Sequence, residues 1–171
     1  MISFVNTIIA ASGGAFSWLI LEYFSNKKLS LLGLLSGVLS GLVTITPAAG
    51  FVNYLSAYII SMIGGIACYF VVNSIKEKLR YNDTLDAFGI HGVGGVIGAI
   101  LTGVFQSHKV NKDILDGLIY TGHLHTIWIQ CIAVVVVVVY SIIITFIIGK
   151  TLSIFMSLAT TVEEDMTCLL Y

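Results

Sequence analysis

The sequence has few charged residues, and this scarcity excludes most classes of soluble protein. Only 10% of its 171 residues are Asp, Glu, Lys or Arg, whereas 57% are hydrophobic and the mean hydropathy is +1.00. Soluble domains usually carry about 25% charged residues. The net charge of −1 comes without a basic patch, so nucleic acid is not an expected partner. We therefore predict an integral membrane protein that contacts lipid.

Cysteines and catalytic motifs are also scarce. The three cysteines, Cys68, Cys131 and Cys168, are an odd number without C-x-x-C spacing, so we expect neither a disulfide framework nor a metal site. No H-E-x-x-H motif, Ser/His/Asp set or pair of intramembrane carboxylates is present, so we expect no enzyme, no catalytic residue and no cofactor. The first residues lack a positively charged n-region, which argues against a cleaved signal peptide.

The sequence does contain five apolar runs that are long enough, or nearly long enough, to cross a bilayer. A helix needs about 20 residues to do so. Backbone groups in lipid must pair internally, which predicts that the runs are helices. The prediction is thus an all-α membrane protein, with a transmembrane domain over 1–150 and a cytoplasmic tail over 151–171. Its predicted spans cover residues 2–21, 29–45, 51–72, 86–105 and 125–148.

Positive charges are distributed unequally between the two predicted sides. Lys109 and Lys112 lie between the fourth and fifth spans, whereas the remaining six follow the first, third or fifth span, namely Lys27, Lys28, Lys76, Lys78, Arg80 and Lys150. The positive-inside rule places the larger group in the cytoplasm. We therefore predict a multi-pass protein of the plasma (inner) membrane with its N-terminus outside and its C-terminus in the cytoplasm.

Small residues recur at helical spacing in two of the predicted spans. Gly33, Gly37 and Gly41 lie four residues apart in the second span, and Gly94 and Gly98 repeat that spacing in the fourth. Such small-xxx-small faces let two helices approach closely within a membrane. We predict that these five glycines are packing positions in a dense helix bundle.

One ionisable residue lies well inside the fourth predicted span. Asn82 or Asp83 can cap the start of this helix, and acidic residues suit the positive end of its dipole. Asp83 and Asp86 are three residues apart, so we expect them to act as an analogue of a capping box. Counted from such a cap, His91 lies about 10–13 Å along the helix. An ionisable residue at that depth is a functional candidate. Two interpretations stay open: a group that binds a small polar molecule or relays a proton, and a neutral histidine that hydrogen-bonds between helices.

The other histidines carry less weight. We expect His108 to lie in a solvated outer loop, and His123 and His125 to anchor the outer end of the fifth span at the interface. Two neighbouring histidines are too few ligands for a metal site. A haem-binding anchor would need two histidines at similar depth, whereas only His91 is deep, so this alternative is weaker.

Two segments of the sequence resemble the signature segments of a known family. The stretches "GLVTITPAAGFV" (Gly41–Val52) and "LDAFGIHGVGGVIGAILTGVF" (Leu85–Phe105) are similar to those of the ammonium transporters, the family that includes the Rhesus proteins. The leading "FVNTIIAASGG" and the closing "VEEDMT" resemble the family in the same order. The resemblance extends over essentially the whole chain and matches family helices seven to eleven. It implies part of an inverted-repeat fold and a homotrimeric intact protein.

The resemblance also implies roles for single residues. His91 matches the pore histidine of the second repeat, Ala87 a pore-flanking position, and Asp86 the aspartate that opens the same helix. It implies uptake of ammonium and conduction of ammonia. The first half of the family fold, with its partner histidine, has no counterpart here. We therefore expect a C-terminal fragment that transports only when a first-half partner chain completes it. The alternative is a non-transporting membrane anchor or regulatory subunit.

Overall fold

The computed structural model describes residues 1–79, 83 and 85–156 of the chain. The chain divides into two compact units, Met1–Ile132 and Ala133–Tyr171. The described part of the chain is built from helices α1 (Ile2–Asn26), α2 (Leu31–Ile45), α3 (Tyr54–Phe70), α4 (Lys76–Leu79), α5 (Val93–Phe105), α6 (Leu118–Thr121) and α7 (His125–Phe155). Two π-helical segments complete this order. Val71–Ile75 joins α3 to α4, and Phe88–Gly92 leads into α5.

The predicted all-α membrane architecture is confirmed. Within the described residues, four helical stretches are long and apolar enough to cross a membrane: Ile2–Asn26, Tyr54–Ile75, Phe88–Phe105 and His125–Phe155. The second predicted span differs, because α2 has only 15 residues and is a shorter apolar helix. Its start is set by Ser30, whose hydroxyl oxygen accepts a hydrogen bond from Gly33 N at 2.9 Å.

Other helices begin or end at residues different from those predicted, because a capping group sets the first residue or because the helix continues past the predicted end. Asn53 caps α3 by accepting from Ser56 N at 2.8 Å, so this helix begins at Tyr54 instead of residue 51. Helix α1 continues to Asn26, beyond the predicted end at residue 21. Helix α7 continues to Phe155, so the first residues of the predicted tail are helical. The rest of that tail, from residue 157 onward, lies outside the described residues.

The core of the first unit forms where α1, α2 and α3 pack together. Six fully buried hydrophobic residues make up its main cluster: Ala10, Ile45, Ala48, Val52, Ala57 and Ile60, all 0% exposed. Next to it, the rings of Trp18 and Tyr69 pack edge to face between α1 and α3, with centroids 5.3 Å apart. Aromatic pairs prefer this edge-to-face arrangement over face-to-face stacking.

The three glycines predicted as packing positions in α2 lie against α1. A Cβ at Gly37 would lie 2.7 Å from Trp18 Cβ, and one at Gly41 would overlap the Ala10 carbonyl oxygen. A Cβ at Gly33 would overlap the carboxylate of Glu22. At Gly37 and Gly41 the atoms in the way are backbone atoms or a Cβ, which cannot move aside, so there the contact of α2 with α1 depends on the small size of glycine. At Gly33 the obstacle is the end of the flexible Glu22 side chain.

The two predicted glycines of α5 lie against α2. A Cβ at Gly94 would lie 3.3 Å from Thr44 Oγ1, and one at Gly98 would overlap the Thr44 carbonyl oxygen. Thr44 itself is fully buried, and its hydroxyl donates to Ser40 O at 2.7 Å. The helix that follows His91 is therefore held directly against α2.

The connection between α2 and α3 is tied to α1 by one buried side chain. Asn6 Nδ2 donates to Ala49 O and to Val52 O, both at 2.8 Å, and Asn6 is 0% exposed. From the connection after α5, Ser107 N donates to Phe51 O at 2.8 Å. The two connections therefore lie together at one end of the unit.

Candidate functional site

The helix that bears His91 is started by the Asp83 carboxylate. Its Oδ1 accepts from Ala87 N and its Oδ2 accepts from Phe88 N, both at 2.9 Å. Two of the backbone N–H groups that a helix start leaves unsatisfied are thus paired. Asn82, the other predicted cap, lies outside the described residues.

Asp86 has a different role from the expected half of a capping box. Its backbone is in the left-handed region, with φ 54°, and its carboxylate forms an ion pair with Lys76, with 2.6 Å between Nζ and Oδ1. A capping box requires bonds between residues three apart, whereas Asp83 bonds to residues four and five positions along the chain. That expectation was therefore wrong, and Asp86 links the start of this helix to Lys76 at the beginning of α4.

One side of the π-helical segment Phe88–Gly92 packs against the end of α3 and the residues that follow it. A Cβ at Gly89 would lie 2.7 Å from Val72 Cγ2, and Cys68 Sγ lies 3.8 Å from Ile90 O. Gly89 and Ile90 are buried by these contacts. The absence of a side chain at Gly89 is what allows the two segments to touch.

His91 itself is exposed. Ala87, Phe88 and Gly92 are also exposed, so the candidate pore-flanking residue and the histidine both belong to the exposed part of this helix. Within the described residues His91 makes no hydrogen bond. The chain therefore offers this histidine no partner of the kind that a bonding role between its own described helices would need.

The helix starts later than expected, and this shortens the distance to His91. Leu85 and Asp86 are not helical, and the first helical residue is Ala87. His91 thus lies four residues, or about 6 Å, along the helix instead of 10–13 Å. It remains inside the apolar stretch Phe88–Phe105.

The other three histidines line a separate open cavity of about 450 Å³. Its lining residues are His108, Ile114, Leu115, Asp116, Thr121, His123, His125 and Thr126. His108 N donates to Asp116 Oδ1 at 2.7 Å, and its ring Nδ1 lies 3.0 Å from Ile114 O. Across the part of the chain that is described, no group of three or more His, Cys, Asp or Glu is placed to hold a metal ion.

Two residues of structural weight were not singled out from the sequence. Lys76 counted only as a charge in the orientation argument, although it pairs with Asp86. Asn6 was treated only as part of the first apolar run, although its side chain donates hydrogen bonds to the α2–α3 connection. The polar character of Asn6 within a predicted span was the one signal that could have marked it.

Comparison with known proteins places this geometry in a family. The sequence matches the model of the Ammonium Transporter Family over residues 1–169. It is 46% identical over 165 residues to an ammonium transporter of Bacillus subtilis and 40% identical over 162 residues to one of Aquifex aeolicus. The structure is similar to the crystal structure of Saccharomyces cerevisiae Mep2, with 36% sequence identity and a TM-score of 0.82 over 89% of this chain.

The matched regions cover most of this chain but a smaller part of its relatives. They include 96% of this chain and 41% of the Bacillus subtilis protein, and 95% of this chain and 38% of the Aquifex aeolicus protein. The similarity to Mep2 covers 37% of the Mep2 chain. The sequence thus corresponds to about two-fifths of the length of these relatives. Because the family match extends over nearly all of its residues, the chain belongs to the ammonium transporter family.

Proposed function

We propose that this chain forms one half of an ammonia-conducting pore, that His91 lines the conduction path, and that transport requires completion by a first half of the family fold. The observation that carries the proposal is the exposure of His91 within a helical stretch that is long and apolar enough to cross a membrane. An ionisable residue facing lipid is costly, and such residues almost always face protein or a water-filled cavity. The exposed side of Phe88–Gly92 therefore needs a covering surface.

The surroundings of His91 support passage of a neutral molecule. Ala87, Phe88 and Gly92 flank the imidazole on the open side of the helix, and none of their side chains carries a polar group. An ion would lose its hydration there without compensation. A neutral imidazole can donate with one nitrogen and accept with the other, which suits contact with ammonia or the relay of a proton released from ammonium.

The greater length of the relatives supports the proposal that a further part of the family fold must complete the pore. The relatives are about two and a half times as long as the part that matches this chain. The covering surface would come from residues that correspond to their first part, on the same polypeptide or on a separate one. The homotrimeric assembly, the plasma membrane location and the orientation with the N-terminus outside also belong to this proposal. They rest on the family resemblance and on the charge asymmetry.

Growth of cells that lack ammonium uptake, on low ammonium, tests the proposal. The first half is taken from the Bacillus subtilis relative, up to the start of the matched region. Four strains are compared: this chain alone, the first half alone, both together, and both together with His91→Ala. Each carries an epitope tag so that the amount in the membrane is measured. We expect growth in the third strain only.

Two results would contradict the proposal in different ways. Robust growth with this chain alone would show that no completion is needed. Absence of growth in the third strain, with both halves present and bound to each other in the membrane, would contradict the pore and favour a non-transporting subunit.

A further inference from the structure

We infer that Lys76 is a positioning residue for His91. Its ion pair with Asp86 holds the two π-helical segments, Val71–Ile75 and Phe88–Gly92, against each other. This contact sets the direction in which the His91 side chain points. The inference rests on the proposed role of His91 in the pore. It assigns Lys76 no contact with the transported molecule.

The first step is the strained conformation of Asp86. A φ of 54° is in the left-handed region, which residues with a side chain rarely adopt. Such a conformation persists only where the surroundings hold it. The Asp86 carboxylate is held by Lys76 Nζ at 2.6 Å, and its carbonyl oxygen accepts from Ile90 N at 2.9 Å. Asp86 thus connects Lys76 to the first turn of the helix that bears His91.

The second step is the position of His91 within a π-helical turn. It is the fourth residue of Phe88–Gly92. A π-helical turn contains one residue more than the hydrogen-bonded α-helical turn, and such turns are frequent at functional sites. Each residue of an α-helix turns the side-chain direction by about 100°. Whether this turn keeps its extra residue therefore decides the direction in which the imidazole points relative to α5.

The third step is that the two π-helical segments touch. A Cβ at Gly89 would lie 2.7 Å from Val72 Cγ2. Lys76 follows the first segment directly, and Asp86 lies two residues before the start of the second. The ion pair therefore joins the C-terminal end of the first segment to the N-terminal end of the second. Without it, the first turn would be free to relax towards regular α-helix.

Disulfide cross-linking in membranes tests the contact independently of transport. In a chain whose three native cysteines are replaced by alanine, Val72→Cys is combined with Gly89→Cys. The first change removes the methyl group that an added Cβ at position 89 would meet, and the two Cβ atoms then lie within about 4.5 Å, the spacing of a disulfide. We expect rapid cross-linking with Lys76 present, at least tenfold slower cross-linking with Lys76→Met, and a normal rate with Lys76→Arg. Lys78→Met, which removes an exposed charge from the same short helix, is the matched control.

Transport by the completed pore tests the consequence for His91. With uptake normalised to assembled complex, Lys76→Met should lower ammonium uptake at least fivefold and alter discrimination against potassium. Lys76→Arg and Lys78→Met should stay within twofold of the unmodified protein. The exchange Lys76→Asp with Asp86→Lys should recover part of the lost uptake, which separates the pairing from a general effect of charge.

The outcomes separate this inference from the proposed function. Cross-linking of Lys76→Met at the normal rate would show that the ion pair does not hold the two segments together, and the inference would fail. If Lys76→Met slowed cross-linking but left ammonium uptake and discrimination against potassium unchanged, the contact would be real but would not position His91. The inference would then fail, while the proposed pore would stand. If the unmodified completed complex showed no uptake at all, the proposed function would fail and the inference with it, whatever the cross-linking rate.

Discussion

Gly14 of α1 lies directly against Gly41 of α2. A Cβ added at Gly14 would come within 2.6 Å of both N and Cα of Gly41, and one added at Gly41 would lie 3.0 Å from Gly14 Cα. The two helices therefore meet backbone to backbone. Van der Waals packing of this kind is a main source of helix association in membranes, where the hydrophobic effect between helices is weak.

We predict that Gly41→Ala destabilises the chain, whereas Gly95→Ala does not. The added methyl group at 41 meets backbone atoms of Ala10 and Gly14, while a Cβ at Gly95 has nothing within 4 Å. Overpacking of this type costs about 1–3 kcal/mol. Both variants are heated in detergent, and the fraction that stays monodisperse is measured by fluorescence-detected size-exclusion chromatography. If both variants lost their monodisperse fraction at the same temperature, the α1–α2 contact would be able to adjust to the added methyl group.

We predict that Asn6→Ala loosens the connection between α2 and α3. The substitution leaves Ala49 O and Val52 O without the donor that now lies 2.8 Å from each. An unsatisfied buried acceptor costs about 1–3 kcal/mol. We expect faster cleavage within residues 46–53 by an added protease. Thr7→Ala is the control, because its hydroxyl donates to Ser3 O at an exposed position of the same helix. Similar cleavage rates would contradict the prediction.

We predict that Asp83→Ala frays the start of the His91 helix, and that Asp83→Asn does so less. Alanine removes both acceptors for Ala87 N and Phe88 N, whereas asparagine keeps one oxygen but loses the charge at the positive end of the helix dipole. Loss of a cap costs about 0.5–2 kcal/mol. Hydrogen exchange of a peptide covering residues 85–92 measures the effect, with Asp113→Asn in the connection after α5 as control. Unchanged exchange in Asp83→Ala would show that the cap is dispensable.

We predict that His91→Ala in the completed pore changes transport far more than assembly. Hydrogen bonds between helices in membranes contribute only about 0.6 kcal/mol on average, and His91 makes none among the described residues. Removal of a group that contacts the transported molecule should instead abolish uptake or admit potassium. The measurement is uptake of a labelled ammonium analogue, normalised to assembled complex. Normal uptake per complex would assign His91 a structural role only.

We predict that the connection after α5 faces outward and that α4 faces the cytoplasm. The expectation follows from the six-to-two distribution of Lys and Arg. In a background without native cysteines, a membrane-impermeant thiol reagent added to intact cells should label Lys112→Cys and spare Lys78→Cys. Labelling of both after permeabilisation confirms that each site is reactive. The reverse pattern would contradict the orientation.

The sequence was informative about properties that are local to one segment. Apolar length predicted the helices, because covering a helical backbone in lipid takes a run of apolar side chains. The four-residue spacing of Gly33, Gly37 and Gly41 predicted a packing face, because residues four apart share one side of a helix. Boundaries were less well predicted. A cap such as Ser30 or Asn53 sets the first residue of a helix by a single hydrogen bond, which hydropathy does not register.

Relationships between distant segments were decided only by the tertiary structure. The sequence placed Asp83 and Asp86 at the start of one helix, but the fold brings Lys76, ten residues earlier, to Asp86 and leaves the cap to Asp83. Asn6 bonds to carbonyl groups 43 and 46 residues away. Such pairings depend on where packed helices bring their ends, and no local pattern encodes that. The exposure of His91 is likewise a result of packing, since Gly89 and Ile90 occupy the contact with the preceding segment and leave the imidazole on the open side.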